Sequence, residues 1–440
     1  MELTNTQDES LWMEGLDIVR KLEASGHRAY LVGGCVRDRL LGRALHDIDI
    51  ATSATPDEVI ALYARTLPTG LKHGTVTVME GGRSYEVTTF RQEFGFTDSR
   101  RPDQVAFVQD VREDLARRDF TFNAMAFGSA GEIVDPFGGQ DALRAGVVDC
   151  VGEASERFGE DALRMLRAIR FASELDFMIL PEVWQGIIEH RPKLSLVAME
   201  RVSAEWDKMI AGSGPEQACH YLFKSGLLVH VKDTLPETFR QAAERYRFNG
   251  MPAEWDKWGM DFTDDGSMGN LMQLPSISDP DLRWAALLSG MGVNEEDSSD
   301  LCRALRFSAR RVARISGLVG MNEQLKLNEE DELWESWVLT VLARGRSLAE
   351  DWLAMSEALE TEFWTEAKQW LEEMPVVAIS DLKVRGNELS AYLGKAPGPW
   401  ITEVLKDLLE WVAFGEVPNE KQALLKAAEN ACDEAGGTDE

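Results

Sequence analysis

The sequence predicts an α+β protein: an N-terminal α/β head built on a mixed sheet with helices, followed by an all-helical neck, body and tail. Three observations carry this. Strand-like segments, marked by period-2 alternation or short apolar runs, are confined to the region before about residue 145. Glycine pairs punctuate that region at Gly33-Gly34 and Gly81-Gly82. Beyond it, amphipathic helical periodicity takes over to the end of the chain.

Taken in order, Tyr30-Leu31-Val32 is a short apolar strand running into Gly33-Gly34, then a helix from Cys35 to about Leu41 that Gly42 stops. His46 to Thr52 alternates polar and apolar, the pattern of a strand with one polar face. Thr55-Pro56-Asp57-Glu58 opens a helix, with Thr55 as N-cap, Pro56 at the first helical position and Glu58 closing a capping box. Gly74–Val78 and Tyr85–Thr89 are further strands on either side of the Gly81-Gly82 turn. Phe90 to Gln104, rich in Arg, Gly and Asp, reads as a long functional loop. The helices that follow include Asp161–Leu175, Val202–Ile210, Ala304–Leu318, Leu333–Ala343 and Trp400–Ala413. Boundaries are expected at 1–145 for the head, 146–210 for the neck, 211–380 for the body and 381–440 for the tail. Most of the thirteen tryptophans lie in the helical part and are expected to fill its core.

Composition narrows the class. A hydrophobic content of 44% with 28% charged residues is that of a globular protein. No apolar run approaches the roughly 20 residues needed to span a bilayer, and the acidic, polar N-terminus does not read as a targeting peptide. Five scattered cysteines with no C-x-x-C pair argue against a disulfide framework and point to the cytoplasm. The net charge of −30 points away from a simple nucleic-acid binder, because phosphate affinity normally comes from Lys and Arg. Any RNA-binding charge must therefore be gathered locally.

Asp47 and Asp49, at i and i+2 on an expected strand, project from one face. Magnesium takes one or two carboxylates plus phosphate oxygens, and two such ions can activate a hydroxyl and steady a leaving oxygen. Gly33-Gly34, between a strand and a helix, lets backbone N–H groups approach a phosphate at the helix N-terminus, and Arg37 lies one turn further in. Strand, Gly-Gly, Arg, helix and D-x-D occur in order within about 20 residues, which points to phosphoryl transfer on a triphosphate.

With those residues in view, Leu31–Asp38 followed by Asp47-Ile48-Asp49-Ile50-Ala51-Thr52 resembles the first motif of the class II tRNA nucleotidyltransferases and bacterial poly(A) polymerases, members of the polymerase-β superfamily. Arg117–Ala124, Asp135–Gly139, the E-D-x-x-R run Glu160–Arg164, and Glu200-Arg201 with Glu205 resemble the later motifs, so the likeness runs from about residue 28 to 210. The resemblance implies that Asp47 and Asp49 ligate Mg2+, that Gly34 and Arg37 hold the triphosphate beside Gly33, and that Arg118 contacts the nucleotide. A third acid is implied too, with Glu86 and Asp119 both open. The partners it implies are tRNA, CTP and ATP; oligomeric state stays open between monomer and homodimer.

Asp161 and Arg164, i and i+3 on the expected helix, bring an acceptor and a donor fork side by side. Cytosine and adenine each show an amino donor next to a ring-nitrogen acceptor, whereas uracil and guanine show the reverse. The pair would thus select C and A without a nucleic-acid template, because the wrong base leaves buried polar groups unpaired. Arg167 and Arg170, further along the ridge, are expected to neutralise the triphosphate or the tRNA end.

Family members that stop after C-C are expected to lack the Phe90–Pro102 segment present here. The acidic C-terminal tail differs from the basic extensions expected of poly(A) polymerases. All six histidines lie at or before His230, which excludes a His-Asp phosphohydrolase domain downstream. Addition of the whole C-C-A end is therefore the leading expectation, and addition of the final A alone the runner-up.

Overall fold

The computed structural model describes residues 6–95, 104–245, 269–326, 332–361 and 363–435. Its N-terminal part is organised by a seven-stranded mixed sheet. In spatial order the strands are Thr66–Gly70 (β3), Thr75–Glu80 (β4), Arg83–Thr89 (β5), Asp49–Thr52 (β2), Ala29–Val32 (β1), Ala126–Phe127 (β8) and Ile133–Val134 (β9). β2 runs parallel to β5, and the other neighbours in the sheet are antiparallel. Leu31, Ile50, Val76, Val78 and Val87 are buried in one core with Trp12, Val19 and Leu22 of the first helix, Thr6–Ala24 (α1).

Local chemistry accounts for the early elements. Helix Gly34–Leu41 (α2) ends where Gly42 adopts φ 67° and its N–H returns to the carbonyls of Arg39 and Asp38, the left-handed closure that glycine permits. Helix Pro56–Leu62 (α3) begins as expected, with the Glu58 carboxylate taking both the N–H and the hydroxyl of Thr55 at 2.8 Å.

Four expectations need correction. The strand expected from His46 begins only at Asp49, since β1 supplies partners no further than Val32, where Gly33 turns the chain into α2. The segment from Phe90 to Gln104 is not all loop: Arg91–Phe94 (β6) and Gln104–Phe107 (β7) pair as an antiparallel ribbon, and 96–103 lie outside the described residues. The helix expected from Asp161 starts at Leu163, because Asp161 is extended, with φ −138° and ψ 105°. The helix expected over Ala304–Leu318 is two, Glu295–Ala304 and Ala309–Lys326, broken where Arg306 takes φ 61° and Phe307 N–H returns to the Cys302 carbonyl.

Helix Val111–Ala116 (α4) lies between β7 and β8, and after β9 come Gly139–Ala145 (α5), Ala154–Glu160 (α6), Leu163–Leu175 (α7), Pro181–His190 (α8) and Met199–Ala211 (α9). The chain divides into two compact units: one takes in the residues up to Thr234, the other Leu235–Ala242 and the C-terminal helices. Trp184 and Trp206 are fully buried in the first and Trp284 and Trp337 in the second, so the core role expected of these tryptophans holds. Cys35, Cys150, Cys219 and Cys302 are buried free thiols. Among the described residues no helix is long and apolar enough to cross a membrane.

Candidate active site

Asp47 and Asp49 do share a face. Along 47–50 the side chains are exposed, buried, exposed, buried, so the alternation survives although Asp47 precedes the strand. In the parallel β2–β5 pairing Asp49 stands opposite Glu86, which is also exposed. Desolvation of the Asp49 carboxylate by the atoms packed around it raises its pKa above the ordinary aspartate range; Arg118 opposes the rise, while Glu86 and Asp47 add to it. The surplus of negative charge and the all-carboxylate oxygen set fit a hard divalent cation. Among the described residues no three His, Cys, Asp or Glu side chains close around one ion-sized space.

Gly33 joins this acid face to α2. It has φ 74° and ψ −132°, and a Cβ added there would stand 2.8 Å from Arg118 Nη1 and 3.8 Å from Asp49 Oδ2. The backbone conformation calls for glycine, and an added Cβ would also push the Arg118 end aside. Arg118 donates through Nη1 to the Asn123 carbonyl at 3.3 Å and through Nη2 to Asp114 at 3.5 Å, while its buried Nε has no protein acceptor. Asp114, fully buried, also holds Arg117 at 2.9 and 3.0 Å. Gly34 begins α2, and Arg37 lies buried behind it. The Arg37 guanidinium forks onto Asp38 with two bonds of 2.9 Å, donates to Asn123 Oδ1 at 2.8 Å, and lies 5.0 Å from the Phe171 ring centre. Three of its five N–H groups, including the Nε–Nη2 fork, are committed in this way, so it braces the glycine turn from behind.

On α7 the structure departs from the expected geometry. Asp161 lies ahead of the helix, its carboxylate taking the Leu163 N–H at 3.0 Å, a local side-chain cap. Arg201 of α9 forks onto it at 2.9 and 3.4 Å. Arg164, 9% exposed, donates to Glu160 at 2.7 Å and to the Arg117 and Arg157 carbonyls at 3.0 and 3.3 Å. Asp161 and Arg164 are thus one residue group in sequence, each held by a different protein partner. Arg167 pairs with Asp119 at 2.6 Å, and Arg170 with Glu205 and Glu174, both at 2.7 Å. α7 therefore does not present the bare positive ridge expected of it, since each of its arginines is matched by a carboxylate.

Asp119 does not join the acid face. It is buried, and although burial alone would raise its pKa, the Arg167 and Arg164 guanidiniums outweigh this and hold it well below the usual carboxylate range. By placement, Glu86 is the acid beside Asp49. Sequence reasoning did not single out the parts played by Asn123, Phe171, Glu160 and Arg201. Glu160–Arg164 has the i,i+4 spacing that signals a helical ion pair. The Arg201–Asp161 fork joins residues 40 apart and leaves no local signal.

Comparison with known proteins identifies the family. Three family models match in chain order: the Poly A polymerase head domain over residues 29–149, the probable RNA and SrmB-binding site of polymerase A over 176–239, and the putative tRNA nucleotidyltransferase domain 2 over 276–428. The chain is 35% identical to the CCA-adding enzyme of Geobacillus stearothermophilus over 94% of its own length and 95% of the relative's. It is 36% identical to the CCA-adding enzyme of Lactiplantibacillus plantarum over the same shares. The crystal structure of the Bacillus stearothermophilus CCA-adding enzyme in complex with CTP superposes with a TM-score of 0.76 at 32% identity, covering 97% of this chain and 98% of that one. The Thermotoga maritima CCA-adding enzyme complexed with tRNA shares the fold, with a TM-score of 0.63 at 19% identity. Motif order, acid face and near-complete coverage converge, and the chain belongs to the CCA-adding enzymes, a family of tRNA nucleotidyltransferases.

Proposed function

We propose that this chain completes the 3′ end of tRNA in the cytoplasm by adding C, C and A from CTP and ATP, with Asp47 and Asp49 holding Mg2+. The observation that carries the reading is the exposed acid face Asp47–Asp49–Glu86 set beside Gly33 and Arg118. In the reaction the terminal 3′ oxygen of tRNA bonds to the α-phosphorus of the nucleotide. The bond from that phosphorus to the β-bridging oxygen breaks, the hydroxyl loses its proton, and pyrophosphate leaves. Magnesium bound there supplies charge to the attacking and leaving oxygens.

The chain's own residues supply placement. The N–H groups that open α2 from Gly34 onward would meet phosphate there, while that of Gly33 is donated to the Met125 carbonyl at 3.4 Å. Arg118, whose guanidinium end lies beside Gly33 and opposes the charge of the acid face, is placed to meet the nucleotide. Asp161 offers carboxylate lone pairs to an exocyclic amino group and Arg164 guanidinium N–H to a ring nitrogen, a pattern that C and A satisfy. Since Arg201 and Glu160 already hold these two groups, base selection by them requires that the nucleotide share the donors and acceptors left over.

The test is incubation of the full chain with tRNA lacking its 3′ end and one labelled triphosphate at a time, with Mg2+ added. We expect C alone to be incorporated from CTP, A to follow when both are present, and neither G nor U to enter. A added only to a C-C end would reassign the chain to A addition. Long A tracts would reassign it to poly(A) synthesis, and no incorporation would overturn the enzyme reading.

A further inference from the structure

Between the acid face and α7 lies a buried chain of polar contacts with one residue at its centre. Asp38 is forked by Arg37, Arg37 donates to Asn123, Asn123 donates to Asp119, and Asp119 accepts from Arg167. Charge runs along it as minus, plus, neutral, minus, plus. One end is on α2, behind the glycine turn; the other is on α7, one turn beyond Arg164. Asn123 itself is 6% exposed and sits on the single turn Thr121–Asn123, three residues before the start of β8.

The chemistry of position 123 is restrictive. Arg37 is donor-only, and the ionised Asp119 is acceptor-only. A side chain bridging them must accept on one side and donate on the other. The amide does both: Oδ1 takes Arg37 Nη1 at 2.8 Å, and Nδ2 gives to Asp119 Oδ1 at 3.2 Å. Aspartate of the same shape has no donor for Asp119, and leucine has neither function. A third contact comes from the backbone, whose Asn123 carbonyl accepts Arg118 Nη1 at 3.3 Å. Through one turn, three arginines of the site are thereby referenced to one another: Arg37 and Arg118 directly, Arg167 through Asp119.

We infer that Asn123 is a positioning residue that locks the base-selecting helix in register with the triphosphate seat. The inference rests on the proposed function, since it assigns α7 a part in choosing the base. Asn123 acts through Arg37 and Asp119, the two side chains it bridges. Buried polar networks of this kind impose one arrangement when every member is satisfied and lose it when one member fails.

The experiment measures kcat/KM for CTP and for UTP on tRNA lacking its C-C-A end, with wild type and two variants, Asn123→Leu and Asn123→Asp, run in parallel. The ratio of the two constants does not depend on how much of a preparation is folded, so a merely structural role leaves it unmoved. Asn123→Leu and Asn123→Asp should each lower the CTP/UTP ratio about tenfold or more, with KM for tRNA unchanged. A ratio within about twofold of wild type in Asn123→Leu, or in the isosteric Asn123→Asp should Asn123→Leu fail to fold, overturns the inference. Wild type that incorporates neither C nor A would instead overturn the proposed function, so the two failures are distinct.

Discussion

Arg201 and Asp161, 40 residues apart, form a two-pronged ion pair at 2.9 and 3.4 Å that joins α9 to the approach of α7. The pair is partly solvent-exposed, with side chains 26% and 17% accessible, so its direct contribution to stability is small. Its geometric effect is larger, since it sets where the Asp161 carboxylate points. Arg201→Ala should therefore lower stability by about 1 kcal/mol or less, yet reduce the preference for CTP over UTP about tenfold. Arg201→Lys keeps the charge but loses the fork and should fall between. Single-turnover incorporation with each nucleotide, alongside chemical denaturation, measures both. Unchanged preference in Arg201→Ala would show that the fork does not orient Asp161.

Gly33 is held at φ 74° and ψ −132°, beside Arg118. Gly33→Ala must adopt a backbone region that only glycine enters readily, at a cost of about 1–3 kcal/mol. The added methyl also displaces the Arg118 end, which is free to swing where backbone is not. Catalytic loss should therefore exceed what the destabilisation explains. Comparing kcat/KM for CTP with the unfolding free energy tests this. A variant with near-normal activity per folded molecule would remove Arg118 from the nucleotide site.

Asp49 links stability to pH in the direction opposite to a paired carboxylate. Its pKa is raised in the folded protein by the desolvation of its carboxylate and by Glu86 and Asp47, against Arg118. Its ionised form is thus disfavoured by folding, and in metal-free protein the contribution of Asp49 to stability should fall as pH rises from below the ordinary aspartate range to neutrality. Asp49→Asn should abolish nucleotide transfer while raising the melting temperature in EDTA at neutral pH, with the difference fading in acid. Calorimetry across that range is the measurement. A melting temperature lowered by Asp49→Asn would mean the carboxylate is structurally paired.

Arg164 combines a structural and a proposed selective part. It satisfies Glu160 and two backbone carbonyls while 9% exposed. Arg164→Ala should cost about 1–3 kcal/mol through acceptors left unpaired and relax base choice more than it weakens triphosphate binding. Misincorporation of G and U, set against the KM for CTP, separates the two effects. A uniform loss across all four nucleotides would assign Arg164 to phosphate or to the fold alone.

The head was largely legible in the sequence because its signals are local. Gly42 ending α2, Glu58 reaching back to Thr55, and the strands on either side of Gly81-Gly82 each depend on residues within a few positions of one another. The helix over Trp400–Ala413 was legible for the same reason, through its apolar period. The errors fell where a neighbour from elsewhere in the chain sets the boundary. His46 to Ile48 alternate like a strand but have no partner beyond Val32. Ala304–Leu318 keeps one apolar period across two helices, and only the backbone reversal at Arg306 separates them.

The same division runs through the site. Residue types and spacing alone were enough to place two carboxylates on one face next to a glycine turn, because side-chain direction in an extended segment and the conformational freedom of glycine are local properties of the chain. Which acid stands opposite Asp49, which carboxylate neutralises each arginine of α7, and what bridges Arg37 to Asp119 depended on contacts between segments far apart in sequence. Such contacts are chosen by packing and charge pairing in three dimensions, where Asp119 met Arg167 in a buried site and Glu86 was left in the open beside Asp49.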